Sequence, residues 1–154
     1  MKMISGFIGK FDANMSLNQK LIVKKGERYF LLSENLERLI TGEFFYAGTY
    51  LGKVKDKTFF PSFSLLTMIA QTNANKVIVD KKAEWLFICG RDIFKRGIID
   101  ASKLLRKGDY TLILNERGDC LGFGRIVHNI GEKDGKRVVV RNIADVGDFL
   151  RREK

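Results

Sequence analysis

Residues 117–127, "RGDCLGFGRIV", decide how the second half of the chain is read. Gly122 and Gly124 stand on either side of Phe123, and Arg125 follows. A dinucleotide fingerprint requires a third glycine at the head of a helix and an acidic residue about 20 positions later. Here there is no third glycine, and β-favouring residues follow in place of a helix. Strand patterns on both sides predict instead that Gly122 and Gly124 let another backbone approach closely or let the strand coil sharply.

On either side of that stretch, "DYTLILNE" (109–116) and "CLGFGRIVH" (120–128) read as two β runs joined at Arg117, Gly118 and Asp119, a hairpin. "KDGKRVVVRNI" (133–143) adds a turn at Asp134 and Gly135 and a valine-rich strand. Upstream, "KVIVD" (76–80) predicts a brief buried strand. Its Asp80 caps a helix with Ala83, Leu86 and Phe87 facing inward, and Gly90 ends that helix. The second half is therefore expected to form a small β-barrel or sheet.

The first half has a different rhythm. "KLIVKKGERYFLL" (20–32) predicts a hairpin turning at Lys25 and Gly26. Ser33 then stands as N-cap of a short amphipathic helix carrying Leu36, Leu39 and Ile40. "EFFYAGTYLGKVKDKTFFPSF" (43–63) predicts two or three further antiparallel strands with a charged turn at Asp56, and "LLTMIAQ" (65–71) suits a helix packed on that sheet. "TNANK" (72–76) is small and polar enough to be a linker. The expected fold class is α+β, with an N-terminal α/β domain built on an antiparallel sheet over residues 1–73 and a β-barrel domain over 74–154.

Composition limits the functions available. The 154 residues are 45% hydrophobic and 30% charged, the balance of a chain that folds. No apolar run approaches the roughly 20 residues of a membrane span, and the opening is too short and glycine-broken for a signal peptide. A soluble intracellular protein is expected, with Cys89 and Cys120 as reduced thiols. With one histidine and no CxxC pair, no metal site or cofactor is expected. The net charge is +10, with +4 over residues 1–75 (10 basic against 6 acidic) and +6 over the rest (18 against 12). Such a surface attracts polyanions, of which RNA and DNA are the commonest inside cells; a merely solvated lysine-rich surface is the competing reading.

The runs "VIVDKKAEWLFICGRDIFKRGI" (77–98), "GDYTLILNERGDCLGFGRIV" (108–127) and "GKRVVVRNIADVGDFLR" (135–151) resemble, in that order, a PUA domain, an RNA-binding β-barrel module. "YFLLSENLERLI" (29–40) and "GTYLGKVKDKTFFPSFSLLTMIA" (48–70) extend the resemblance to the Nip-seven family of PUA proteins, which act in large-subunit ribosome biogenesis. The opening looks shorter than in the eukaryotic members, as in an archaeal-type protein, and residues 1–20 have no counterpart. The resemblance implies an accessory factor that binds pre-ribosomal RNA, in single-stranded or loop segments, and performs no chemistry. It also implies ribosome-assembly factors or the exosome as partners of the N-terminal domain, with a cytoplasmic location in an archaeon or a nucleolar one in a eukaryote. No membrane partner and no small-molecule substrate are expected. An adaptor with incidental RNA contact is the rival reading, to be marked by an exposed apolar patch on the N-terminal domain.

The resemblance places Lys81, Lys82, Arg91, Lys95 and Arg96 on one wall of an RNA groove. Lys136, Arg137, Arg141, Arg151 and Arg152 cluster late in the chain and are expected to form the other. If the last strand runs unbroken, Arg137 and Arg141 share a face and Val138 and Val140 point to the core. Phe44, Phe45, Tyr46, Phe59, Phe60, Phe63 and Trp85 are expected to pack, with base stacking as the alternative. His128 has no nucleophile or carboxylate constellation beside it and reads as a structural or surface residue. No residue is expected to be catalytic.

Overall fold

The structure is a computed structural model that describes residues 1–152, apart from the side chains of Phe149 and Arg152. The chain runs through α1 (Lys2–Gly9), β1 (Ile22–Lys25), β2 (Arg28–Leu31), α2 (Glu34–Leu39), β3 (Thr49–Lys55), β4 (Thr58–Pro61) and α3 (Phe63–Ala70). It continues through β5 (Lys76–Val79), α4 (Lys81–Ile88), β6 (Ile93–Phe94), β7 (Ile98–Ala101), β8 (Tyr110–Leu114), β9 (Cys120–Ile126), β10 (Val138–Asp145) and α5 (Val146–Arg152). The fold class is α+β, as expected.

Strands β1 to β4 form an antiparallel sheet in sequence order. The first hairpin turns at Gly26 and Glu27, one residue later than predicted, because Lys25 and Arg28 face each other as the closing pair. Asp56 and Lys57, both at positive φ, close the β3–β4 turn. Gly52 lies inside β3. Helix α2 starts on the predicted Ser33 cap, whose Oγ accepts from Leu36 N–H at 3.2 Å, yet none of its residues is buried and Leu39 is 76% exposed. Spacing alone promised a buried amphipathic face, but Leu36 and Ile40 are only half-buried and Leu39 faces solvent.

The second sheet has the order β6-β10-β9-β8-β5-β7, antiparallel except for the β5–β8 pair. Its two edge strands are joined by a single turn, Lys95–Gly97, so the ends of the sheet meet and it curls into a nearly closed barrel. The curl passes through Gly122 and Gly124. A Cβ on Gly124 would lie 2.5 Å from both Arg141 O and Val140 Cγ1; one on Gly122, at φ +145°, would strike the Ala144 carbonyl. Only glycine lets β9 and β10 approach so closely.

Two clusters form the core. One fills the barrel with Val77, Val79, Phe87, Ile93, Ile113, Val139 and Val140. The other joins the halves: Ile4, Phe7, Ile8 and Phe11 recur at i, i+3, i+4 and i+7 and form one apolar stripe on and just beyond α1. That stripe packs, with Leu65, Leu66 and Ile69 of α3, on Leu112, Leu114 and Phe123 of the barrel. Phe7 stands edge-on to Phe11, Phe59 and Phe123, with centroids 5.2, 5.5 and 5.5 Å away.

The predicted linker is part of this joint. Ala74 and Asn75 are buried; Asn75 N–H donates to Phe11 O (2.8 Å), its side-chain amide donates to Tyr110 O (3.1 Å), and its carbonyl accepts from Leu112 N–H (2.9 Å). A short polar run here closes a hydrogen-bonding account between two units.

Candidate functional site

Asp80 caps α4, its Oδ1 accepting from Ala83 N–H at 2.8 Å, so Lys81 and Lys82 occupy the first turn and are exposed. Arg91 is exposed in the loop after the helix. Arg96 lies over the Phe94 ring, 5.4 Å from its centroid. The backbone then knots the two predicted walls together. Lys95 N–H donates to Arg137 O (2.9 Å), Arg96 N–H donates to Gly135 O (3.1 Å), and Phe94 pairs with Val138. Lys82 and Arg96 share a cleft of about 220 Å³, with the turn carrying Lys136 against Arg96.

Not every cation there is available. Lys95 is half-buried and spends its ammonium on Ile130 O at 2.7 Å. Arg137 faces Glu132 at 3.6 Å, and Arg151 faces the buried Asp145 at 3.7 Å. The Asp134 backbone N–H holds Glu132 below the usual carboxylate range, assisted by Lys133 N–H and Arg137, so it stays an anion. Asp80 and Asp92 also line the cleft, each accepting a backbone N–H. The Arg152 side chain lies outside the described residues.

Arg141 stands elsewhere. Strand β10 begins after Arg137 and is irregular between Val138 and Val140, so Val139 and Val140 are both buried and two-residue alternation does not link Arg137 to Arg141. Arg141 faces Arg125 of β9, which in turn faces Tyr110 of β8. Arg125, Arg141, Lys107 and His128 line a hollow of about 390 Å³. His128 Nδ1 is 2.7 Å from Val138 O, the structural role expected. Lys107 and Arg125 were not anticipated. The signal for Arg125 was present in "GFGRI", where Phe123 and Ile126 are core residues and the charged Arg125 stands between them.

The aromatic expectations divide. Phe59 and Phe63 pack against the joint core, whereas Phe45, Tyr46 and Trp85 are 78%, 60% and 66% exposed. Arg28 sits over Phe45 and Lys25 over Phe44, while Phe44 and Tyr46 stand edge-on to the buried Phe30 with centroids 6.0 and 5.1 Å away, so cations and one core ring together hold that loop.

The sequence model of a family described as the UPF0113 PUA domain matches residues 75–154. A UPF0113 protein of Archaeoglobus fulgidus is 32% identical over 140 residues, spanning 87% of this chain and 79% of that one. The chain belongs to the UPF0113 family.

The UPF0113 match begins at the buried Asn75 and takes in the whole barrel sheet, from β5 onward. A conserved PUA-domain protein from Thermoplasma acidophilum shares the fold with a TM-score of 0.58 at 23% identity, covering 86% of this chain and 79% of that one. A hypothetical protein from Pyrococcus horikoshii aligns over 97% of this chain and 95% of its own length, with a TM-score of 0.52 at 16% identity. The N-terminal sheet is thus part of the shared architecture as well as the PUA barrel.

Proposed function

We propose that this UPF0113 protein binds RNA through its PUA unit, as an accessory factor without catalytic activity in large ribosomal subunit biogenesis. The observation that carries the reading is the meeting, on one barrel edge, of exposed cations from α4 (Lys82) and the Lys95–Gly97 turn (Arg96) with Lys136 of the 134–137 turn. These three form no ion pair among the described residues. Such cations neutralise phosphates and release counterions, and exposed Trp85 on the same helix offers a stacking surface. The resemblance to the Nip-seven family supports the ribosomal role and pre-rRNA as the ligand.

A second reading has its own observation. Leu39, Phe45 and Tyr46 are exposed on the N-terminal unit, which favours a protein partner there, an assembly factor or the exosome. The two readings are compatible if the barrel holds RNA and the N-terminal sheet recruits.

The test uses the whole chain and a single-stranded RNA over a salt series. Binding is expected with log affinity falling by about 0.7 per phosphate contacted for each log unit of salt. Replacing Lys82, Arg96 and Lys136 with glutamate is expected to abolish it. Failure of the unaltered protein to bind at physiological salt would overturn the RNA reading and leave the adaptor.

A further inference from the structure

The row formed by Tyr110, Arg125 and Arg141 crosses three adjacent strands on the exposed side of the barrel. Two arginines directly opposite one another on neighbouring strands repel, which destabilises a sheet unless an anion lies between them. Neither forms an ion pair among the described residues, nor does Lys107 in the same hollow. The cleft of Lys82 and Arg96 holds two carboxylates against its two cations, whereas this hollow holds Lys107, Arg125 and Arg141 with none. By charge it is the stronger attractor for a phosphate, and paired guanidiniums offer the fork of donors that grips one.

Tyr110 connects the hollow to a second concavity. Its ring has the Lys10 ammonium at 5.0 Å and the Arg125 guanidinium at 5.8 Å. Beyond it opens an apolar slot of about 240 Å³ between the barrel and the N-terminal sheet, lined chiefly by Phe59, Phe60, Phe123 and Ile143, with Lys10 and Tyr110 among its walls. That volume is below the range of drug-sized sites. Aromatic walls beside a phosphate-gripping row suit one planar base whose own backbone lies on the cations.

We infer that the outer face of β8, β9 and β10 is a second RNA-contact surface, where Arg125, Arg141 and Lys107 hold the phosphates of a single strand and the slot between the two sheets takes one unpaired base. It rests on the RNA-binding reading and lies apart from the cleft that carries that reading. It also gives the N-terminal unit a part in binding, because Lys10, Phe59 and Phe60 come from residues before the barrel.

The experiment measures anisotropy of labelled oligouridylate and oligoadenylate, each about a dozen nucleotides long, on the full chain over a salt series. Arg125→Gln with Arg141→Gln is expected to weaken binding and make the salt slope shallower by about 1.4, the share of two single-strand contacts, without lowering the melting temperature. Ile143→Ser, an uncharged change at the slot, is expected to cost about tenfold with the base-bearing strands and nothing with an abasic strand of equal length. Free mononucleotide at matched concentration is expected not to compete; full competition would make this a small-nucleotide site and overturn the inference. If the arginine pair changes neither affinity nor slope while the Lys82, Arg96 and Lys136 triple abolishes binding, the inference falls and the RNA reading stands. If the unaltered protein binds neither strand, both fall.

Discussion

Cys89 and Cys120 are the same side chain in opposite surroundings. Cys89 is exposed at the end of α4, whereas Cys120 is buried at the start of β9, where loss of solvent pushes its thiol up to about 11 despite a contact to Gly122 O. Only the thiolate is nucleophilic, so iodoacetamide at mildly alkaline pH should modify Cys89 and spare Cys120 in the folded protein, as read by peptide mass spectrometry. The linkage has a definite sign. A raised pKa favours the protonated form in the folded state, so the stability Cys120 contributes is intact below its ordinary value of 9.0 and is lost as pH rises from there through about 11. Cys120→Ser should lessen that alkaline decline. At this scale the sequence was legible where a residue's chemistry forces its place: Gly122 and Gly124 between crowded strands, Asp80 and Ser33 as caps, His128 as structural. It misled for Phe45 and Trp85, because hydrophobicity promises burial only where a neighbour exists to cover the ring, and a cation took that place at Phe45; Tyr46 does pack, edge-on to Phe30, yet stays 60% exposed.

Helices α2 and α3 begin with the same device and depend on it differently. Ser33 Oγ accepts from Leu36 N–H at an exposed helix that buries nothing. Ser62 is buried; its Oγ accepts from Leu65 N–H at 3.1 Å while donating to Tyr50 O at 2.5 Å, and the helix it starts carries Leu65, Leu66 and Ile69 into the joint core. Ser62→Ala should therefore cost about 1–3 kcal/mol in urea unfolding, as a lost cap plus a lost buried hydrogen bond. Ser33→Ala should cost about 0.5 kcal/mol or less, because fraying there stays local. Most elements could be read from periodicity and turn residues, including both hairpins and the strand-to-helix step at Asp80. The irregularity in β10 could not, since an extra residue in a ladder leaves alternation in the sequence unchanged, and it moved Arg141 away from Arg137. The stripe Ile4, Phe7, Ile8 and Phe11 was readable by the same rule, but Gly6 and Gly9 interrupt it and disguise the helix.

One of the two core clusters joins the two sheets, and this governs how the molecule unfolds. Leu112, Leu114 and Phe123 of the barrel are covered by α1 and α3, and each such side chain contributes about 1.5–3 kcal/mol when buried. Uncovering three of them removes an amount comparable with the roughly 5–15 kcal/mol of a whole domain's net stability. Calorimetry of the full chain should show one cooperative transition, with calorimetric and van't Hoff enthalpies equal. Two resolved transitions would mean that the barrel and the N-terminal sheet fold independently. The sequence reading divided the chain at residues 73 and 74, where composition turns small and polar. Long-range partners such as Phe11 and Tyr110, which pin Asn75, leave no mark in a local window.

The same joint imposes an order of events on synthesis. The apolar stripe of α1 leaves the ribosome about a hundred residues before β8 and β9, which must cover it. At translation rates of about 5–20 residues per second, Ile4, Phe7, Ile8 and Phe11 remain without their barrel partners for about 5–20 seconds. A nascent chain of this kind is exposed to holding chaperones and to self-association for the whole of that interval, so slower elongation lengthens the exposure without changing the stability of the finished fold.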